Sequence, residues 1–216
     1  MPDREIATVT FQLGDFGIFE APEFSVRMPR LRAEVKPRLI VLGQELAPDL
    51  SAVLKEPLFV HVAQHLRRTV NPPEATWAAF ARTHRAYKPT VHIRTAINAA
   101  SIRVSVFVED YAEDKLLFAD ALKAKCDALA AYFSKHPKIR AYDIPDENGK
   151  PGCGAHLSAE TLASFSERMH QVKSQHAVFG IDLPAKKVTQ MSAEELHKAI
   201  VTAVKTLKPI YDLGRP

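Results

Sequence analysis

Cysteine is scarce in this chain of 216 residues, which contains only Cys126 and Cys153. Two cysteines cannot form the disulfide framework of a small secreted domain, and neither belongs to a Cys-x-x-Cys pair of the kind that binds structural zinc. We therefore expect both thiols to be reduced, as is usual in the cytoplasm.

Long apolar runs are also missing, so no membrane-spanning helix is predicted. The first residues carry acids instead of the basic and then apolar regions of a signal peptide. Hydrophobic residues nevertheless make up 46% of the chain, which is enough to fill a core and argues against a disordered or fibrous protein. We expect one domain over residues 1–216, located in the cytoplasm and with no membrane partner.

Three familiar motifs of catalysis or nucleotide binding are absent: Gly-x-Ser-x-Gly, the P-loop and Gly-x-Gly-x-x-Gly. The sequence therefore indicates no serine or cysteine nucleophile and names no cofactor. It also contains no feature that predicts an oligomeric state.

The hydrophobic pattern changes between alternating and helical spacing along the chain. Alternation in residues 91–96 and 102–108 predicts an antiparallel hairpin, with Arg94 and Arg103 on the face opposite its apolar side chains. Further strands are predicted at residues 76–81, 139–144 and 177–183. Helices are predicted at residues 31–46 with an interruption at Pro37, at 112–134, after a Ser158 cap, and from Ser192 to Pro209. This order favours an α+β fold, with a mainly antiparallel sheet flanked by about four helices.

Positive charge is concentrated in one part of the sequence. Between His61 and Arg103 there are seven lysines and arginines against a single acid, Glu74, an excess of six. The formal net charge of the whole chain is only +4. The positive field is therefore local, which predicts a surface that attracts anions.

Several side chains of this segment suit an anionic ligand. Guanidinium groups bind phosphate or carboxylate oxygens in a bidentate manner, and an exposed tyrosine ring can stack on a base. Trp77 and Phe80 fit the core better than a ligand site. The candidate ligand-binding residues are His61, His65, Arg67, Arg68, Asn71, Arg85, Tyr87, Lys88 and His92. The expected ligand is an anionic small molecule, such as a nucleotide, or single-stranded RNA.

Two other functions remain open at this point. If residues 58–66 are helical, His61 and His65 share a face and could act as general base or metal ligands of a hydrolase or phosphoryl-transfer enzyme. If these residues form a strand, the two histidines lie roughly 13 Å apart. No glutamate completes a zincin motif, so no metal ligand is assigned. In a structural or protein-interaction role, Arg67 or Arg68 would instead be buried against an acid.

The run FVHVAQHLRRTVNPPEATWAAFARTHRAYK, residues 59–88, closely resembles the signature of the YktB-like family of uncharacterised bacterial proteins. FQLGDFGIF near the start and LKPIYDL near the end are similar to the family's outer segments. The resemblance implies an α+β fold and a chain that is nearly all one family unit. It implies no activity, because the family has no established function.

Overall fold

A seven-stranded sheet organises the chain. The computed structural model describes residues 7–66, 68–145, 151–153 and 157–215, with the backbone alone at 145 and 151–153. All strand pairs among the described residues are antiparallel, and the order across the sheet is β1-β2-β3-β4-β7-β5-β6. The strands are β1 (Phe59–Val62), β2 (Ala75–Ala81), β3 (His92–Asn98), β4 (Ser101–Val108), β5 (Arg140–Pro145), β6 (Pro151–Cys153) and β7 (Ala177–Pro184).

The central hairpin of β3 and β4 follows the predicted alternation. Ile93 pairs with Val106 and Ala96 pairs with Arg103, so the β-branched residues share one face. Asn98 shapes the turn, because its side-chain oxygen accepts hydrogen bonds from the backbone N–H groups of Ala100 and Ser101. The predicted hairpin is confirmed, and so is the position of Arg94 and Arg103 on the face opposite its apolar side chains.

Helices cover the apolar face of the sheet. They are α1 (Leu13–Gly17), α2 (Phe24–Arg30), α3 (Lys36–Leu54), α4 (Lys115–Ala124), α5 (Cys126–Lys135), α6 (Ala159–Gln171), α7 (Ala185–Val188) and α8 (Ala193–Tyr211). Helix α3 packs on β1 and β2, and α8 packs on β3, β4 and β7. On β7, Phe179 contacts one phenylalanine each from α4, α5 and α6. The expected α+β fold is confirmed.

Some helices begin or end at residues other than those that the hydrophobic pattern predicted. The helix predicted over 112–134 divides at Lys125, whose φ of -112° and ψ of 15° end α4 and start α5. Pro37 falls in the first turn of α3, where its missing N–H costs little, and a π-helical turn joins α2 to α3. Pro209 does not end α8, which continues to Tyr211. The predicted caps at Ser158 and Ser192 are present.

The core is continuous from Val9 to Leu213. This continuity is what a single domain would show, and the domain count over residues 1–216 stays a prediction. Among the described helices, none is long and apolar enough to cross a bilayer.

The face of the sheet opposite the core carries polar and aromatic side chains. The registers place His61 of β1, Trp77 of β2, Arg94 of β3 and Phe107 of β4 on this side. Small residues such as Ala79 lie between these side chains on the same face. The large side chains pack over the small residues. This second face supports the candidate site.

We predict that Gly180→Ala destabilises the protein by about 1–3 kcal/mol, as expected when an added methyl group overfills a packed site. A Cβ at Gly180 would lie 2.8 Å from the Val104 carbonyl oxygen and 2.9 Å from the Ser105 Cβ. Gly14 has nothing within 4 Å of such a Cβ, so Gly14→Ala is the matched control. Urea unfolding of both variants checks this, and equal stabilities would contradict it.

Candidate functional site

The loop between β2 and β3, residues 82–91, is fixed at both ends by Asp114. Arg82 donates from Nη2 to Asp114 Oδ2 at 3.0 Å and to the Gly214 carbonyl oxygen at 2.8 Å. Asp114 Oδ2 also accepts the backbone N–H of Val91 at 2.8 Å. Burial raises the pKa of Asp114, and Arg82 and the Val91 N–H oppose that shift. The loop therefore has a defined position beside β1.

A groove of about 620 Å³ lies between this loop and β1. His61 joins the two walls, because its Nε2–H donates to the Thr83 carbonyl oxygen at 2.9 Å. The His61 and Tyr87 rings lie 5.6 Å apart by their centroids. Further lining residues are Val60, Val62, Gln64, Arg85, Lys88 and Tyr111.

Two cations at the groove pair with no acid among the residues that the structure describes. Arg85 and Lys88 are exposed, and within the described part of the chain neither makes a hydrogen bond or an ion pair. Tyr111 is 58% exposed at the same groove. The groove therefore presents two free positive charges together with aromatic surface.

Three other cations from the segment predicted to bind anions are already paired. Arg82 is bound to Asp114, Arg94 to Glu109, and Arg103 to Asp182. The three acidic partners come after Arg103 in the sequence. The charge counted between His61 and Arg103 therefore overestimates the positive field of that segment. Among the described residues, the unpaired cations of the segment are Arg85 and Lys88 at the groove and Arg68 after β1.

Arg94 is the most enclosed of these paired cations. Its guanidinium carbon lies 3.5 Å from the centre of the Phe107 ring and 4.7 Å from that of Trp77. Nε donates to His92 Nε2 at 2.9 Å, and Nη2 donates to the Glu109 carboxylate. Burial lowers the pKa of Arg94 and Glu109 opposes this shift, but an arginine remains charged.

The neighbours of Arg94 connect it to the groove. His92 is fully buried, and its Nδ1–H donates to the Thr90 carbonyl oxygen at 2.7 Å, which leaves Nε2 as an acceptor for Arg94. Burial and the positive charge of Arg94 hold the pKa of His92 well below its ordinary value. Tyr87 packs on His92, and its hydroxyl accepts the Trp77 indole N–H at 3.3 Å. Tyr87 is therefore placed by residues beneath the groove.

His65 lies beyond the end of β1 in an uncommon backbone conformation. Its φ is 51°, a left-handed value that histidine adopts more readily than most residues. Its ring packs edge-on against Trp77, and Nε2 is 3.1 Å from Thr76 Oγ1. Burial, followed by the charges of Arg68 and Arg32, lowers the pKa of His65 to about 4.

We predict that His65→Asn weakens the acid sensitivity of folding. Since the pKa of His65 is lower in the folded state, the unfolded chain takes up the proton first, and stability falls as the pH drops from about 6.5 toward 4. Asparagine tolerates the left-handed backbone and removes the titration. Between these two pH values, the slope of the free energy of unfolding against pH should decrease by up to about 1.4 kcal/mol per pH unit.

Chemical denaturation between pH 4 and 7.5 measures this slope. His84→Asn is the control, because His84 is exposed and its one ring contact among the described residues is with Phe59. An unchanged slope in His65→Asn would contradict the burial of a neutral imidazole at position 65.

The structure distributes the candidate ligand-binding residues over three places. His61, Arg85, Tyr87 and Lys88 line the groove. His92 lies beneath it. His65, exposed Arg68 and exposed Asn71 belong to the segment after β1, where Arg68 Nη1 donates to the Asn71 carbonyl oxygen at 3.3 Å. Arg67 lies outside the described residues.

The described geometry bears on one part of each of the other two functions, and a histidine acting as general base stays an alternative. His61 is in a strand, so the helical His61–His65 pair is wrong, and over the described residues no group of three His, Cys, Asp or Glu side chains could hold a metal ion. Arg68 is exposed and pairs with no acid in the described part of the chain, whereas the structural role requires Arg67 or Arg68 to be buried against an acid, and Arg67 lies outside the described residues. Residues that the sequence reasoning missed are Gln64, Glu109 and Tyr111.

Comparison with known proteins places the chain in a family. A model described as "Domain of unknown function (DUF1054)" matches residues 11–211. The chain belongs to this family. The resemblance to uncharacterised YktB-like proteins is therefore confirmed at the level of the family, and the description of that family assigns no activity.

Bacterial relatives extend over nearly the whole chain. A UPF0637 protein of Bacillus velezensis is 30% identical over 94% of this chain and 95% of its own length. One from Bacillus licheniformis is 32% identical over 96% of this chain and 97% of its own length. One from Exiguobacterium sibiricum is 32% identical over 94% of this chain and 98% of its own length. The similarity therefore includes the groove and the strands below it.

Proposed function

We propose that the protein binds an anionic, phosphate-containing ligand of the nucleotide class in the groove between β1 and the loop of residues 82–91. The proposal is carried by Arg85 and Lys88, two exposed cations without described partners on the wall of a cavity of about 620 Å³. Phosphate oxygens would supply the missing negative charge.

The size and lining of the groove support a nucleotide. Small-molecule sites commonly have volumes of about 300–1,000 Å³ and combine apolar surface with a few directed polar groups. Tyr87 and Tyr111 offer ring surface, and His61 offers an imidazole nitrogen that is not used by the Thr83 carbonyl. A nucleotide contains both the charge and the flat ring that these side chains suit.

Single-stranded RNA would present the same two chemical groups. A short segment could place one nucleotide in the groove while its next phosphate approaches Arg68, which is exposed and pairs with no described acid. The proposed location is the cytoplasm, where nucleotides and RNA are both available.

Trp77 provides the readout for a direct test, because it is the only tryptophan and its indole N–H contacts the Tyr87 hydroxyl. Wild-type protein should show a saturable change in tryptophan emission with nucleoside monophosphates, which weakens as salt is raised. Arg85→Ala/Lys88→Ala should weaken the affinity at least about tenfold, since a hydrogen bond to a charged group contributes about 1.5–3 kcal/mol.

The matched control is Lys186→Ala/Lys187→Ala. Lys186 and Lys187 are exposed residues of α7, outside the groove. Their replacement removes the same total charge as Arg85→Ala/Lys88→Ala. Equal loss of affinity in both double variants would indicate a general effect of net charge. No response of the folded wild type to any phosphate ligand would contradict the proposal.

A further inference from the structure

The outer edge of β1, whose residues Val60 and Val62 line the groove, has backbone groups that bond to no described residue. In the sheet, β1 is an end strand and pairs only with β2. The Ala63 N–H donates to the Trp77 carbonyl oxygen at 3.0 Å, which identifies this as a hydrogen-bonded pair. Because such pairs alternate in an antiparallel ladder, Val60 and Val62 direct their backbone groups away from β2.

Some groups on this edge are already satisfied by side chains. Gln64 Nε2 donates to the Val62 carbonyl oxygen at 3.1 Å, and the Leu58 N–H donates to Ser51 Oγ at 3.1 Å. Within β1 this leaves the Val60 N–H, the Val60 carbonyl and the Val62 N–H, none of which bonds to a described residue. In chain order they are a donor, an acceptor and a donor.

We propose that this edge recognises the uracil base of a nucleotide. The proposal rests on the function proposed above and specifies its ligand. Uracil presents a carbonyl oxygen, an N–H and a second carbonyl oxygen along one side, which is an acceptor–donor–acceptor pattern complementary to Val60 and Val62. Cytosine presents a donor and two acceptors at the same positions, so it would face the Val60 carbonyl oxygen with an acceptor.

The form of the free edge favours a base over an added peptide strand. Only three groups on two residues are available, and Gln64 closes the edge at its end, whereas strand addition draws on a longer row of backbone bonds. A base needs no more than three bonds. Tyr87 and Tyr111 line the same groove and provide rings for a flat ligand.

The two walls then have different roles. Val60 and Val62 on β1 contact the base, while Arg85 and Lys88 on the opposite loop contact the phosphate. Buried or partly enclosed backbone groups that need a partner give strong discrimination, because a mismatched ligand leaves them unsatisfied. The edge therefore determines specificity, and the loop contributes affinity for any phosphate.

Val62→Pro tests the edge without touching the ladder. Of the backbone hydrogen-bonding groups, proline removes only the Val62 N–H, which points away from β2, and edge strands are where proline is tolerated. Val62→Ala is the matched control, since it removes the side chain and keeps the N–H. Affinities for uridine monophosphate, cytidine monophosphate and ribose 5-phosphate are measured by titration calorimetry.

Wild type and Val62→Ala should bind uridine monophosphate at least tenfold more tightly than cytidine monophosphate. Val62→Pro should lose that preference and retain its affinity for ribose 5-phosphate. A second comparison needs no variant: 3-methyluridine monophosphate, which lacks the ring N–H, should bind wild type at least tenfold more weakly than uridine monophosphate.

The outcomes separate the two proposals. Similar affinities of wild type for all four ligands, or tighter binding of cytidine monophosphate than of uridine monophosphate, would overturn uracil recognition and leave anion binding in place. No binding of any of these phosphates by folded wild type would overturn both. A response to an acidic peptide without a response to uridine monophosphate would show that strand addition is the use of this edge.

Discussion

The buried charge of Arg94 is the interaction on which the second face of the sheet depends. A guanidinium removed from water requires an acid and hydrogen-bond acceptors close by, because an unpaired buried charge is strongly destabilising. Glu109 and His92 meet that need, and Phe107 and Trp77 enclose the planar cation. One side chain thereby connects β2, β3 and the segment that follows β4.

The groove is built on this network from below and fixed at its side by a second one. Tyr87 is placed by His92 and Trp77, while Arg82 and Asp114 hold the ends of the loop that carries it. The paired cations thus give the groove its shape, and the unpaired ones are available to a ligand. This division explains why a chain of modest net charge can present a local positive site.

Much of the fold could be predicted from the sequence, because the alternation around Ile93 and Val104 and the caps at Ser158 and Ser192 are local signals. The break at Lys125 could not, since both halves of that helix continue the same apolar stripe. Of the candidate ligand-binding residues, His61, Arg85, Tyr87 and Lys88 line one groove, and their role in binding stays a prediction. Glu109 and Tyr111 were missed because they follow the cation-rich segment of residues 61–103, and only the order of the strands brings them beside it.

The most direct measurement is a double-mutant cycle in urea between Arg94→Met and Glu109→Gln. If Arg94 depends on this acid, each single change strands a buried polar or charged group and costs about 3–5 kcal/mol. The double variant should then cost at least about 1 kcal/mol less than the two single costs together. Additivity within about 0.5 kcal/mol would contradict the account, because it would show that the two groups do not interact.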